Sequence, residues 1–240
     1  MTALRQITLH HEGATLEGQL ALPPGPGPFP GVMVMHNAFG LGPHMKEVAL
    51  RLAEQGYAAL ATDMYGAGIL HKDSESTAKT FMPLVQTPGL LRRRIIAWYE
   101  LLKSLPEVDA ARAGAIGYCF GGQCVLELAR SGVDAKAVVS YHGLLTTTQK
   151  AEPGAVKAYV AAYTGALDPY APRHEVEAFR EEMIGAGAHW QITEFGDAYH
   201  AFTDPEAGSQ PVPGLAYNPL ADKLSWAGTL ALLDSLVKAA

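Results

Sequence analysis

The sequence predicts an α/β protein: a mostly parallel sheet with helices on both faces and an N-terminal antiparallel hairpin. Three observations carry that prediction. Short apolar runs alternate with stretches of helical spacing along most of the 240 residues. Successive runs are separated by well over ten residues, the length that a parallel crossover requires. The N-terminal stretch instead alternates apolar and polar side chains, as the half-buried strands of a hairpin do.

Taken in order, "RQITLH" (5–10) and "TLEGQLAL" (15–22) form the hairpin, and "HEGA" supplies its turn. A Pro- and Gly-rich linker, "PPGPGPFPG", leads to "VMVMH" (32–36), a continuous apolar run that reads as a strand buried on both faces. "HMKEVALRLAEQG" follows with apolar residues at Val48 and Leu52 and a stop at Gly56, a helix. "AALATD" (58–63) and "RAGAIGY" (112–118) are further strands, and "LLRRRIIAWYELLKSL" is a helix between them. Beyond residue 118 the order is helix "QCVLELARSG", strand "AKAVVSY", strand "KAYVAAYTG", helix "PRHEVEAFREEMIGAG" and strand "HWQITEF". A last helix spans about "NPLADKLSWAGTLALLDSLVKA". Residues 64–90 and 201–216 read as irregular and exceed ordinary connections, as loops around a pocket do. No repeat and no linker divides the chain, so residues 1–240 are expected to form a single domain.

Composition narrows the partners. With 48% hydrophobic and 18% charged residues the chain is ordinary for a globular protein, and its net charge of −6 argues against a nucleic acid or a membrane surface. The expected ligand is a small molecule. "MTALRQITLH" has no apolar signal region, and no apolar run reaches the ~18 residues of a membrane span, so a cytoplasmic location is expected. Cys119 and Cys124, the two cysteines, match no metal-finger spacing and are placed poorly for a disulfide.

Chemistry concentrates at "GYCFGG" (117–122), between a predicted strand and a predicted helix. A nucleophile on such a turn is held in a strained backbone conformation, and Gly117, Gly121 and Gly122 let strand and helix approach closely. A thiol there also sits at a helix N-terminus, where unpaired N–H groups favour the thiolate and can hold an oxyanion. Cys119 alone could equally be a small buried side chain. Chain order decides between the two. Hydrolases of this topology place nucleophile, acid and histidine in that sequence after successive late strands, and Asp168 in "YTGALDP" and His200 in "FGDAYHAF" stand there. Cys119, Asp168 and His200 are therefore the candidate catalytic residues, with Asp197 a weaker competitor for the acid. Cys124 reads as core. The backbone N–H groups of Ala38 and Phe120 are the candidate oxyanion donors. Asn37, Phe39, Tyr65, Tyr141 and Phe202 are candidate substrate-binding residues, and His36 and His142, at strand ends, have bland readings as capping or pocket-lining groups.

"HNAFGL" after the first core strand, "DMYG" after the second, "GYCFGG", "ALDP" and "YHAF" together resemble the dienelactone hydrolase family over nearly the whole chain. That resemblance implies a single-domain α/β-hydrolase with a Cys-Asp-His triad that cleaves esters or lactones with no metal or organic cofactor. Two positions depart from the founding enzymes. Asn37 stands where they carry a glutamate near the thiol, and Asp204 where they carry an arginine that helps hold the substrate carboxylate. Residues 66–90 offer only Lys72 and Lys79 as replacements for a second anion-binding arginine. The resemblance with these departures makes an anionic dienelactone a poor expectation. Two rivals remain: a non-catalytic binding or thiol-sensing protein on the same scaffold, and the amidotransferase type of cysteine elbow, which places histidine where this chain has Phe120.

Overall fold

A computed structural model describes residues 3–87, 89–208 and 212–239. Eight strands form one sheet: β1 (Arg5–His11), β2 (Ala14–Ala21), β3 (Phe29–Met35), β4 (Ala58–Thr62), β5 (Val108–Tyr118), β6 (Ala137–Tyr141), β7 (Tyr159–Gly165) and β8 (His189–Phe195). The helices are α1 (Pro43–Glu54), α2 (Ser74–Gln86), α3 (Leu90–Ser104), α4 (Phe120–Arg130), α5 (Arg173–Gly185) and α6 (Pro219–Leu233). The spatial order is β1-β2-β4-β3-β5-β6-β7-β8. Both pairings of β2 are antiparallel and the remaining five are parallel.

The apolar runs are continuous because both faces of the central strands are covered. Met33 and Met35 face a layer with Trp98, Tyr99, Phe120 and Phe179, contributed by α3, α4 and α5. Val32 and Val34 face the opposite layer with Val48, Leu52, Tyr141 and Val237, on the side of α1 and α6. Alternate residues of one strand therefore serve two cores.

Three expectations are corrected. Residues 64–90 are not wholly irregular: α2 lies within them, capped by the Asp73 carboxylate, which accepts from the Ser76 N–H at 2.8 Å. Its sequence hides the helix because Pro83 interrupts it and few of its residues reach the core. β5 begins at Val108, four residues before the predicted strand, with a register shift opposite Pro30 and Gly31. The terminal helix changes at Asp234 into a five-residue π-helical turn, Asp234–Lys238.

A buried ion network fastens the loop after β6. Arg130 of α4 pairs with Glu182 of α5 at 2.9 Å and with Glu127 at 3.0 Å, and donates to the Leu145 carbonyl at 2.8 Å. Glu127 also accepts from Arg92, which reaches the Gln149 carbonyl at 3.0 Å. Removing one partner of such a network leaves buried charge uncompensated. Arg130→Ala is expected to lose about 3–5 kcal/mol of stability, measured by urea denaturation.

Candidate active site

Cys119 joins β5 to α4 with φ 55° and ψ −114°, a conformation that L residues rarely adopt. The glycines around it have steric reasons. A Cβ on Gly117 would enter the Gly121 carbonyl, one on Gly121 would enter the Met35 carbonyl, and one on Gly122 would lie 2.6 Å from Gly143 Cα. Their absence seats the first turn of α4 directly against the ends of β3 and β6. The Cys119 N–H is satisfied by the Tyr141 carbonyl at 3.0 Å.

The other two residues arrive from the ends of β7 and β8. Asp168 is held by a tight turn, with its N–H on the Gly165 carbonyl at 3.1 Å and its Oδ1 accepting from the Tyr170 N–H at 2.7 Å. His200 is anchored through its own N–H to the Gly214 carbonyl at 3.0 Å. Its Nδ1 lies 2.9 Å from Asp168 Oδ2 and its Nε2 lies 3.1 Å from Cys119 Sγ. The three side chains expected from chain order thus form one hydrogen-bonded line. Asp197, the competing carboxylate, is exposed.

Charge on this line is shared. Burial alone would push the Cys119 thiol up, but the facing His200 and the backbone N–H groups of Ala38 and Phe120, which hydrogen-bond the sulfur, bring it below its ordinary value. Burial would likewise push His200 down, yet the thiolate and Asp168 raise it well above the usual imidazole range. Thiolate and imidazolium therefore support one another. Cys124 has no such partners. It is fully buried, and burial drives its thiol well above the ordinary range.

The loop after β3 carries Ala38. Asn37 Oδ1 accepts from the Phe39 N–H at 3.0 Å, and Tyr65 donates its hydroxyl to the Ala38 carbonyl at 2.8 Å. The His71 N–H reaches the Phe39 carbonyl at 2.8 Å and ties this loop to residues 66–72. Asn37 and Tyr65 are thus occupied in shaping the loop, while Phe39 is exposed beside it. Tyr141 and Phe202, expected to line the pocket, do not. Tyr141 stacks on Tyr118 at 4.5 Å and turns its hydroxyl to Thr229 of α6, and Phe202 is fully buried between His142 and Phe195.

Two histidines carry more than their bland readings. His142, with φ 39°, sits 5.2 Å from the His200 ring and bonds Thr203 Oγ1 through Nε2 at 2.8 Å. Burial, with His200 adding to it, keeps its ring neutral. His36 bridges the ends of β3 and β4 through the Met64 N–H at 3.0 Å. Their position at the C-terminal ends of strands neighbouring the elbow was the available signal. Among the described residues, no group of three His, Cys, Asp or Glu is arranged to hold a metal ion, and no helix is long and apolar enough to cross a membrane.

An eight-stranded, mostly parallel sheet with an elbow at the end of β5 defines an α/β-hydrolase fold. The dienelactone hydrolase family model matches residues 16–237, and the chain belongs to that family. The solved structure of a dienelactone hydrolase-like promiscuous phosphotriesterase from metagenomic libraries is 37% identical, with a TM-score of 0.93 over 98% of both chains. An uncharacterized protein of Caenorhabditis elegans is 36% identical over 147 residues, 60% of this chain and 93% of its own. The "Probable 2-oxo-3-(5-oxofuran-2-ylidene)propanoate lactonase" of Bradyrhizobium sp is 25% identical over 96% of this chain and 94% of its own.

The electrostatics give a chemical expectation. Cys119 alone should react with iodoacetamide in the folded protein, with a midpoint below the ~8.5 of a free thiol. His200→Ala should move that midpoint upward. Peptide mass spectrometry after alkylation at stepped pH measures both.

Proposed function

We propose that the chain is a hydrolase of carboxylic esters or lactones acting through Cys119, His200 and Asp168. The carrying observation is the line Asp168–His200–Cys119, at 2.9 and 3.1 Å, with two backbone N–H groups on the sulfur. Cys119 Sγ attacks the carbonyl carbon, and the carbonyl oxygen takes up the negative charge between the N–H groups of Ala38 and Phe120. Collapse of this intermediate forms a thioester and expels the alkoxide, which takes the proton of His200 Nε2. His200, now neutral, removes a proton from water, and the hydroxide adds to the thioester. The second collapse releases the acid and restores the thiolate–imidazolium pair. Asp168 holds Nδ1–H throughout, fixing the ring and stabilising its charged form.

The substrate is neutral at the site. Asp204 stands where the founding enzymes carry the arginine that helps hold a substrate carboxylate, and its Oδ1 caps the Glu206 N–H at 3.0 Å. Large apolar side chains are exposed on the surrounding loops and α2, among them Phe39, Leu70, Met82, Leu167, Tyr170 and Tyr199. Tyr170 lies 4.8 Å from the His200 ring. The name of one relative, a phosphotriesterase, fits a neutral substrate, since a phosphotriester carries no charge; the lactonase's name supports lactone cleavage but gives a propanoate, an anion.

Wild type should hydrolyse a short neutral aryl ester, and Cys119→Ala should lose on the order of 10⁴-fold or more in kcat. Initial rates of the two proteins in parallel measure this. Undiminished turnover in Cys119→Ala overturns the mechanism, and alkylation of Cys119 without turnover of any ester or lactone points to a thiol-sensing role. A carboxylate placed on the acyl group should lower kcat/KM relative to its methyl ester.

A further inference from the structure

His36 directly follows β3 with none of its surface exposed, and each ring nitrogen has one partner. Nε2 lies 3.0 Å from the Met64 N–H. A backbone N–H can only donate, so Nε2 must accept and carries no proton. The proton is then on Nδ1, which donates to the carbonyl oxygen of Asn37. Burial holds the ring neutral, against the pull of the Asp63 carboxylate.

The Asn37 carbonyl and the Ala38 N–H are two ends of one planar trans peptide and point in opposite directions. Fixing the oxygen fixes the direction of the N–H, and that N–H faces Cys119 Sγ. The same construction precedes the ring. The Met64 N–H shares its peptide with the Asp63 carbonyl, which accepts from Trp98 Nε1 at 2.7 Å. Trp98 indole, Asp63–Met64 peptide, His36 imidazole and Asn37–Ala38 peptide therefore form one chain of donors aligned head to tail on the sulfur. Trp98, Met64 and His36 are fully buried, where such bonds polarise one another by about 10–30% each.

We infer that His36 is a positioning residue: through the Asn37 carbonyl it orients and polarises the Ala38 N–H. The inference rests on the reading of that N–H as an oxyanion donor. A residue that merely joined the ends of β3 and β4 would have no need of a proton on Nδ1.

The first test uses the wild-type protein. Nitrogen-15 NMR of histidine-labelled enzyme should show His36 neutral and protonated on Nδ1; an imidazolium or an Nε2–H tautomer overturns the inference. The second compares two amides. His36→Asn keeps a donor near the place of Nδ1 and gives up the Met64 N–H, whereas His36→Gln reaches the Met64 N–H and withdraws the donor from Asn37.

His36→Gln should raise the alkylation midpoint of Cys119 by about one unit. Its kcat should fall about 10- to 100-fold with little change in KM, less than deletion of a whole oxyanion donor costs. His36→Asn should recover most of both. If the two variants behave alike, or if activity follows only the melting temperature, His36 is structural and the inference fails. The alkylation midpoint needs no turnover, so it tests His36 even if Cys119→Ala proves active and the hydrolytic mechanism falls.

Discussion

Everything at this site depends on how closely the first turn of α4 approaches the end of β3. Gly121 stands where any Cβ would meet the Met35 and His36 carbonyls, and that contact brings the N–H of Phe120 beside the N–H of Ala38. The two donors come from loops far apart in sequence. Their separation is set by packing, and a methyl group at position 121 would open it. The backbone conformation of Cys119 costs on the order of 1–3 kcal/mol, and its surroundings offset this. Phe120 stacks on Tyr65 at 5.8 Å and meets Phe81 edge-on at 5.0 Å, while the Cys119 N–H is taken by β6. His142 and Ala201, with φ of 39° and 57°, place similar strain on the loop after β6, which packs a ring against the imidazole, and on the loop that carries the imidazole itself.

Three histidines of this site are buried, and their surroundings give them different charges. His200 has the thiolate on one nitrogen and Asp168 on the other, and the imidazolium is favoured. His142 has Thr203 on one side and His200 on the other, so a second positive charge there would be repelled as well as desolvated. His36 has a donor pressed on one nitrogen and an acceptor on the other, which only the neutral ring satisfies. Histidine suits each place because small differences in partner decide its protonation. The charge is thereby confined to the ring that faces the thiol.

The outline of the site was legible because it rests on backbone rules. Glycines flanking Cys119 on a strand-to-helix turn, and a carboxylate and a histidine after the next strands, are constraints of topology that the sequence displays directly. The pocket walls were not legible. A strand-end position does not say which face its side chain takes, and Tyr141 and His142, adjacent in sequence, go to opposite ends of that choice: one joins the α6 layer, the other the site. The helix α2 was hidden by its polar composition and by Pro83. The roles of His36 and His142 depend on Met64, Asn37 and Thr203, partners that residue spacing cannot supply.

A thiol at this elbow imposes its own condition on the proposed chemistry. A hydroxyl must be deprotonated as it attacks, so its histidine starts neutral; a thiol with a lowered pKa starts as half of an ion pair, and the site must tolerate charge before any substrate arrives. The N–H groups of Ala38 and Phe120 provide for that, since the same donors that would hold the oxyanion hold the resting sulfur. In the proposed reaction they transfer from sulfur to oxygen as the new bond forms, and no further reorganisation is asked of the protein. A negatively charged substrate would approach a site already carrying a thiolate, with Asp204 where the founding enzymes place an arginine. A neutral carbonyl meets no such repulsion, and the apolar side chains on the surrounding loops favour its transfer out of water.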